Sequence, residues 1–176
     1  MAGYNSESQH VDLLISLLLH FPQIGSLHYN PDENKLKLLF LFRDVQNEQL
    51  MALQAHYKNH LDTLKVIMCQ EFTCCNIVIC NYPDLNSLSI ERDLLSFSYE
   101  ELVITIELIT EAFQKEIVME DAQESHTEYG SSTDLYQLLE SARYEQGHTI
   151  LVGFRTKGRV LVYRDTVEQK INVSNS

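Results

Sequence analysis

The sequence has few of the features that mark disordered, membrane or secreted chains. Its 176 residues include three prolines and six glycines, which is too few for a low-complexity, disordered chain. No run approaches the roughly 20 consecutive apolar residues that a membrane-spanning helix needs. Residues 1–9 contain no Lys or Arg, whereas a secretory signal begins with positive charge. We therefore expect a folded cytoplasmic protein that does not enter a membrane.

Positive charge is also scarce. The chain has 13 Lys and Arg residues against 25 Asp and Glu residues, which gives a net charge of −12. This acidity opposes broad, non-specific attraction to nucleic acid and to anionic membranes. The hydrophobic share of 44% and the charged share of 22% are typical of a globular protein. The length suits one domain with room for a small appendage.

Common catalytic motifs are missing. The sequence has no Gly-x-Ser-x-Gly nucleophile elbow. The segment Gly-Ser-Ser-Thr at residues 130–133 lacks the Lys and the glycine spacing of a phosphate-binding loop. Carboxylates one helical turn apart, such as Glu107 and Glu111, are common on the surface of an acidic protein. We therefore predict no catalytic residue and no cofactor, and we favour a non-enzymatic protein over an enzyme.

Four cysteines occur close together, at Cys69, Cys74, Cys75 and Cys80. Their spacings of five, one and five differ from the spacing of two to four that zinc-binding cysteine pairs prefer. In the predicted strand, Cys74 and Cys80 share a face but lie roughly 20 Å apart, at ~3.3 Å per residue. Because free cysteine is commonly buried, we interpret the four as structural thiols, with a redox or metal role as the alternative.

The most apolar segment is Leu-Lys-Leu-Leu-Phe-Leu-Phe, at residues 36–42. At a period of two, one face carries Leu36, Leu38, Phe40 and Phe42, and the other carries Lys37, Leu39 and Leu41. A strand that is apolar on nearly both faces is typical of a central position in a sheet covered on both sides. Residues 30–35 are rich in turn formers, including Pro31, and predict a β-hairpin.

Apolar periodicity and turn residues predict the order helix, hairpin, helix, hairpin, helix. The second helix has an apolar stripe of Leu50, Leu53, Tyr57, Leu61, Leu64 and Met68. The third helix is predicted to start at Ser98 with Glu101 completing a capping box, although residues 102–108 also alternate as a strand would. We predict an α+β fold in which an antiparallel sheet built from hairpins (α-β-β-α-β-β-α) carries the helices, followed by a C-terminal helix-hairpin unit.

The predicted division of the chain has four parts. Residues 1–119 form an α+β core domain, 120–132 an acidic linker, 133–166 the C-terminal helix with a basic β-hairpin, and 167–176 a flexible tail. The sequence leaves open whether the C-terminal hairpin joins the main sheet.

His56 and His60 lie four residues apart in the second predicted helix, so their rings emerge on the same side. Such a pair can bind a metal ion. The metalloprotease pattern, however, places Glu directly after the first His, and Tyr57 stands there in this chain. No third ligand can be named. We predict no metal site and keep the two histidines as its weak candidates.

The last predicted hairpin is basic in an acidic chain. Residues 148–164 contain Arg155, Lys157, Arg159 and Arg164 and no acidic residue. Phe154 and Tyr163 lie among these cations, which suits stacking on bases together with phosphate contacts. The competing interpretation is that the cations protect an edge hairpin from aggregation or pair with the acidic body of the chain.

Protein–protein recognition, in an adaptor or regulatory role, is the function that the sequence favours, with the partner protein unknown. One alternative is RNA or DNA binding through the basic hairpin. A second alternative is a metal-dependent enzyme that uses His56 and His60. A homo-oligomer is also compatible with the C-terminal unit, which could dock on a second subunit.

Overall fold

The computed structural model describes residues 6–72, 74–120 and 132–165. Within these ranges the helices are α1 (Ser6–His20), α2 (Asn47–Met68), α3 (Tyr99–Phe113) and α4 (Ser132–Tyr144). The strands are β1 (Ser26–Asn30), β2 (Lys35–Phe42), β3 (Cys75–Tyr82), β4 (Leu85–Asp93), β5 (Ile150–Thr156) and β6 (Arg159–Asp165). None of the described helices combines the length and the apolar character that crossing a bilayer requires.

All six strands form one antiparallel sheet in the order β3-β4-β2-β1-β5-β6. The α+β class, the antiparallel sheet and the interior position of β2 are therefore confirmed. The C-terminal hairpin joins the main sheet, a point that the sequence leaves open, because β5 pairs with β1 from Ser26 opposite Phe154 to Tyr29 opposite Leu151. This pairing satisfies the edge of β1, which would otherwise leave its backbone groups open.

The predicted division into four parts stays a prediction. Most of the linker at 120–132 and the whole tail at 167–176 lie outside the described residues. The sheet itself is continuous across the boundary that we placed between the core and the C-terminal unit, since β1 and β5 are hydrogen-bonded neighbours.

The described helices lie on one side of the sheet. One row of aligned residues crosses five strands on this side: Ile77, Ile90, Leu38, Leu27 and Gly153. At one end of the row, α2 reaches β3 through the Gln54 side chain, which donates to the Ile77 carbonyl at 3.4 Å. At the other end, Leu18 of α1 lies so close to Gly153 that an added Cβ would be 3.0 Å from its Cδ1. Helix α4 packs on α1 and buries Leu135, Leu139 and Ala142.

The two faces of β2 have different surroundings. Leu36, Leu38, Phe40 and Phe42 are buried beneath the helices, as their spacing predicts. On the opposite face Lys37 is exposed, and Leu39 and Leu41 are partly exposed. The expectation that both faces are covered is therefore not met within the part of the chain that the structure describes.

The ambiguity between helix and strand after Ser98 is resolved as a helix. Ser98 is the N-cap of α3, and its hydroxyl accepts a hydrogen bond from the Glu101 amide at 3.1 Å. This is the capping interaction that the sequence predicts. The Glu101 carboxylate, however, does not serve the cap, because it binds Arg92 and Tyr57 in the core.

The buried face of β2 can be tested at Phe42, which is fully buried and packs edge-on against Phe113 with ring centroids 5.2 Å apart. We expect Phe42→Ala to lower the free energy of unfolding by about 3–5 kcal/mol, because it removes a core ring and leaves a cavity. The exposed Lys37→Ala on the same strand should change it by less than about 0.5 kcal/mol. Urea unfolding measures both, and equal effects would contradict the assignment of the two faces.

Candidate recognition surface

The side of the sheet away from the helices is the candidate site, and we call it the helix-free face. One row across it contains Tyr163, Val152, His28, Lys37, Glu91 and Asn76. The next row contains Leu161, Phe154, Ser26, Leu39, Ser89 and Val78. A shorter row contains Leu41, Ser87 and Cys80. Because side chains alternate along each strand, these rows all point to the same side of the sheet.

The helix-free face is concave. A trough of about 400 Å³ crosses it from β3 to β5. Short side chains, those of Ser26, Ser87 and Ser89, lie along this trough, with Leu39 and Val78 among them. The face therefore offers a depression with apolar positions and hydroxyl groups side by side.

Charges on the helix-free face are mixed, although the chain as a whole is strongly acidic. Lys35 pairs with Glu33 at 2.5 Å and lies 3.8 Å from Glu91. Lys37 stands directly opposite His28 in the register of β1 and β2. Partial burial, and then the charge of Lys37, lower the pKa of His28 below its usual value. The face therefore carries both signs of charge within a short distance.

The six residues predicted for nucleic-acid or partner contact do not share one surface. Phe154 and Tyr163 stack on the helix-free face with centroids 5.5 Å apart and ring planes 15° apart, and Arg159 faces the same side by the register of β5 and β6. Strand alternation turns Arg155 and Arg164 to the helix side. Lys157 lies in the connecting turn, with a positive φ of 49°.

Arg155 is held within the fold on the helix side. Its Nη1 donates to the Pro22 carbonyl at 3.2 Å, and burial lowers the pKa of its guanidinium. The basic hairpin therefore does not present its cations as one patch.

The four cysteines are free thiols, and none of them is buried. Cys69 ends α2 and is exposed, and Cys74 precedes β3. Cys75 and Cys80 lie on opposite faces of β3, opposite Arg92 and Ser87 of β4. Among the described residues, no three His, Cys, Asp or Glu side chains are grouped so that they could hold a metal ion.

His56 and His60 do approach each other on the exposed side of α2. Their Nε2 atoms are 3.2 Å apart and their ring centroids 4.8 Å apart. Two imidazoles at this separation can reach one ion with bonds of roughly 2.0–2.1 Å. His56 also lines a groove between α2 and α3 together with Leu108 and Glu111. The part of the chain that the structure describes brings no third ligand to this pair, so the metal alternative stays a prediction.

Sequence analysis missed a buried ionic network centred on Arg92, which has no exposed surface. Its Nε and Nη2 donate to the two carboxylate oxygens of Glu101 at 2.7 and 3.0 Å. Its remaining donors reach Asp93 at 2.7 Å, Ser96 at 3.2 Å and the carbonyl of Cys74. All five N–H groups of the guanidinium therefore have acceptors. One sequence signal could have located this arginine: Leu88, Ile90 and Arg92 alternate along β4 and therefore share its buried face.

The network ties several elements together. Tyr57 of α2 donates to Glu101 of α3 at 3.1 Å, and Asp93 accepts from the amides of Cys74 at 2.9 Å and Ser96 at 3.0 Å. The guanidinium of Arg92 also lies 4.3 Å from the ring centroid of Phe72. With every donor used and no exposed surface, Arg92 fixes the fold and is not available to a ligand.

The protonation of the network follows from burial and hydrogen bonding. Burial raises the pKa of Glu101, and the hydrogen bonds from Arg92 oppose this shift. Burial alone would lower the pKa of Arg92, but Glu101 and Asp93 raise it above its usual value. For Asp93, burial is outweighed by hydrogen bonds from Ser96 and the Cys74 amide and by the charge of Arg92, so its pKa is lowered.

Comparisons of the chain with models of protein families, with curated proteins and with solved structures find no match. The functional assignment therefore rests on the helix-free face and on the chemistry of the residues described above.

Replacing the buried arginine tests the network. We expect Arg92→Met to lower the free energy of unfolding by roughly 3–5 kcal/mol, because it leaves Glu101 and Asp93 buried without their partner. Lys65→Met, which removes an exposed pair with Asp62 at 3.4 Å, should cost at most about 1 kcal/mol. Denaturant unfolding of both variants measures these changes. A small loss of unfolding free energy for Arg92→Met would show that the network does not stabilise the core.

The lowered pKa of Asp93 predicts a pH dependence. A carboxyl with a lowered folded-state pKa stabilises the fold above its unfolded value of about 3.9, and this contribution is lost as the pH falls through the lowered pKa. We expect Asp93→Asn to reduce the fall in stability as the pH drops below about 4. Urea unfolding at a series of pH values gives the slope of the unfolding free energy against pH. Identical slopes for the wild type and Asp93→Asn would contradict this role of Asp93.

Proposed function

We propose that this chain is a non-enzymatic cytoplasmic protein that recognises a partner protein, in an adaptor or regulatory role, through the helix-free face. The observation that carries the proposal is the partial exposure of Leu39 and Leu41, which stand on an interior strand of the sheet with no described helix above them. A second polypeptide would supply the missing cover.

The composition of the face supports a protein partner. A solvent-facing side of an antiparallel sheet usually alternates to polar residues, whereas β2 carries leucine at two of its four positions on this side. Apolar surface removed from water contributes about 25 cal/mol per Å², so covering these leucines would be favourable. Serines, a histidine and charges of both signs surround them, as in interfaces that have an apolar centre and a polar rim.

RNA or DNA binding remains the alternative proposal, and one observation favours it. Phe154, Tyr163 and Arg159 share the helix-free face, and stacked aromatic rings beside a cation suit single-stranded bases. Arg155 and Arg164 lie on the other side, and Glu91 and Asp165 oppose the charges of Lys35, Lys37 and Arg159 on the face. A polyanion therefore has less to bind here than a protein segment does.

A light-activated crosslinker tests the proposal. We would place a benzophenone amino acid at Leu39 on the helix-free face, or at the exposed Asn59 on the outer side of α2 as the matched control. Irradiation of cells that naturally make this protein should give a discrete protein adduct from position 39 and none from position 59. Mass spectrometry identifies the adduct.

A second variant makes the result specific. Leu41→Lys should abolish the adduct from position 39, because it places a charge among the apolar contacts, while the purified variant keeps its folded circular dichroism spectrum. An adduct destroyed by nuclease would support the nucleic-acid alternative instead. The same adducts from positions 39 and 59 would contradict recognition through this face.

A further inference from the structure

Strand β3 is an edge of the sheet, since it pairs with β4 alone among the described strands. Residues 74–83 contain no charged side chain in a chain with a net charge of −12. The opposite edge, β6, carries Arg159, Arg164 and Asp165. Proteins commonly guard edge strands with charges, prolines or bulges, because unpaired backbone groups attract further strands. Within its bounds β3 has neither a charge nor a proline.

The geometry of β3 is also that of an open edge. It pairs with β4 residue for residue over eight positions, from Cys75 opposite Arg92 to Tyr82 opposite Leu85, without a bulge. Backbone φ is negative throughout β3, since the described residues with positive φ lie elsewhere. A regular strand of this length can accept another strand along its free side, although the Ile77 carbonyl already accepts a hydrogen bond from Gln54 at 3.4 Å.

The sequence of β3 is symmetric about Val78 over its three central residues. Ile77 and Ile79 flank it, and Asn76 and Cys80 follow on either side. Read antiparallel against itself, the strand places Val78 opposite Val78 and Ile77 opposite Ile79. Such β-branched pairs are favourable cross-strand neighbours. We propose that two copies of this chain associate through β3, antiparallel, with a two-fold axis at Val78.

A two-fold axis at this position is perpendicular to the sheet, because antiparallel strands related by it keep the same face on the same side. The helices of both copies then lie on one side, and the two helix-free faces join into one surface. The contact places neutral residues against neutral residues, so two acidic chains can approach there without direct repulsion.

Exposed apolar groups lie within and beside the contact. Val78 is 42% exposed and Tyr82 is 59% exposed on the helix-free side. On the helix side, Met51 is 55% exposed. Its sulfur accepts a hydrogen bond from the Asn47 side chain at 3.6 Å, and the Asn47 side chain accepts one from Asn81 of β3 at 3.1 Å. The inference stands apart from the proposed partner recognition, because it concerns the purified chain alone.

Light scattering on purified protein tests self-association. The monomer has a mass of 20.4 kDa, so a dimer has twice that value, 40.8 kDa. We expect the wild type to reach the dimer mass with rising concentration, and Val78→Lys to stay a monomer because like charges meet directly across the axis. The control Val66→Lys, at a residue 77% exposed on α2, makes the same change elsewhere and should still dimerise.

Mixing variants tests the position of the axis and does not depend on loss of association. Val78→Lys and Val78→Glu should each be monomeric, and their mixture should form a dimer because position 78 then pairs a cation with an anion. Circular dichroism confirms that each variant is folded. A wild type that stays at 20.4 kDa at all concentrations, a dimer unaffected by Val78→Lys, or a mixture without dimers would overturn the proposal.

Discussion

Burial of one face of β2 is the constraint on which the rest of the structure depends. Leu36, Leu38, Phe40 and Phe42 need cover, and α1 on one flank with α2 and α3 on the other supply it from the same side. Because the described helices lie on that side, the other face of β2 keeps Leu39 and Leu41 partly exposed, and Leu39 lines the trough. The candidate site is thus a direct consequence of how the core is built.

The elements and the position of β2 could be predicted from the sequence, because both follow from local patterns. A period of two separated the faces of β2, and the cap at Ser98 decided between helix and strand. Local patterns do not say on which side of a sheet a helix packs. They also do not predict that Ser26 pairs with Phe154, since no turn connects strands so distant in the chain.

The candidate site could be predicted only in fragments. The cations of the last hairpin form one cluster in the sequence, but alternation along β5 and β6 divides them between two faces of the sheet. Arg92 falls on the core face by the spacing of β4. Its partner, Glu101, comes from another element, and its position in the first turn of α3 suggested a capping role instead. Long-range pairing of charges leaves no periodic signal.

The helix-free face and the β3 edge are continuous, because Val78 and Cys80 belong to both. The most direct measurement of the central claim is the rate of thiol alkylation at Leu39→Cys, in living cells and in purified protein, relative to the exposed Cys69. If a partner covers the helix-free face, the rate at position 39 relative to that of Cys69 is lower in cells than in the purified protein. Equal relative rates in the two settings would contradict the account.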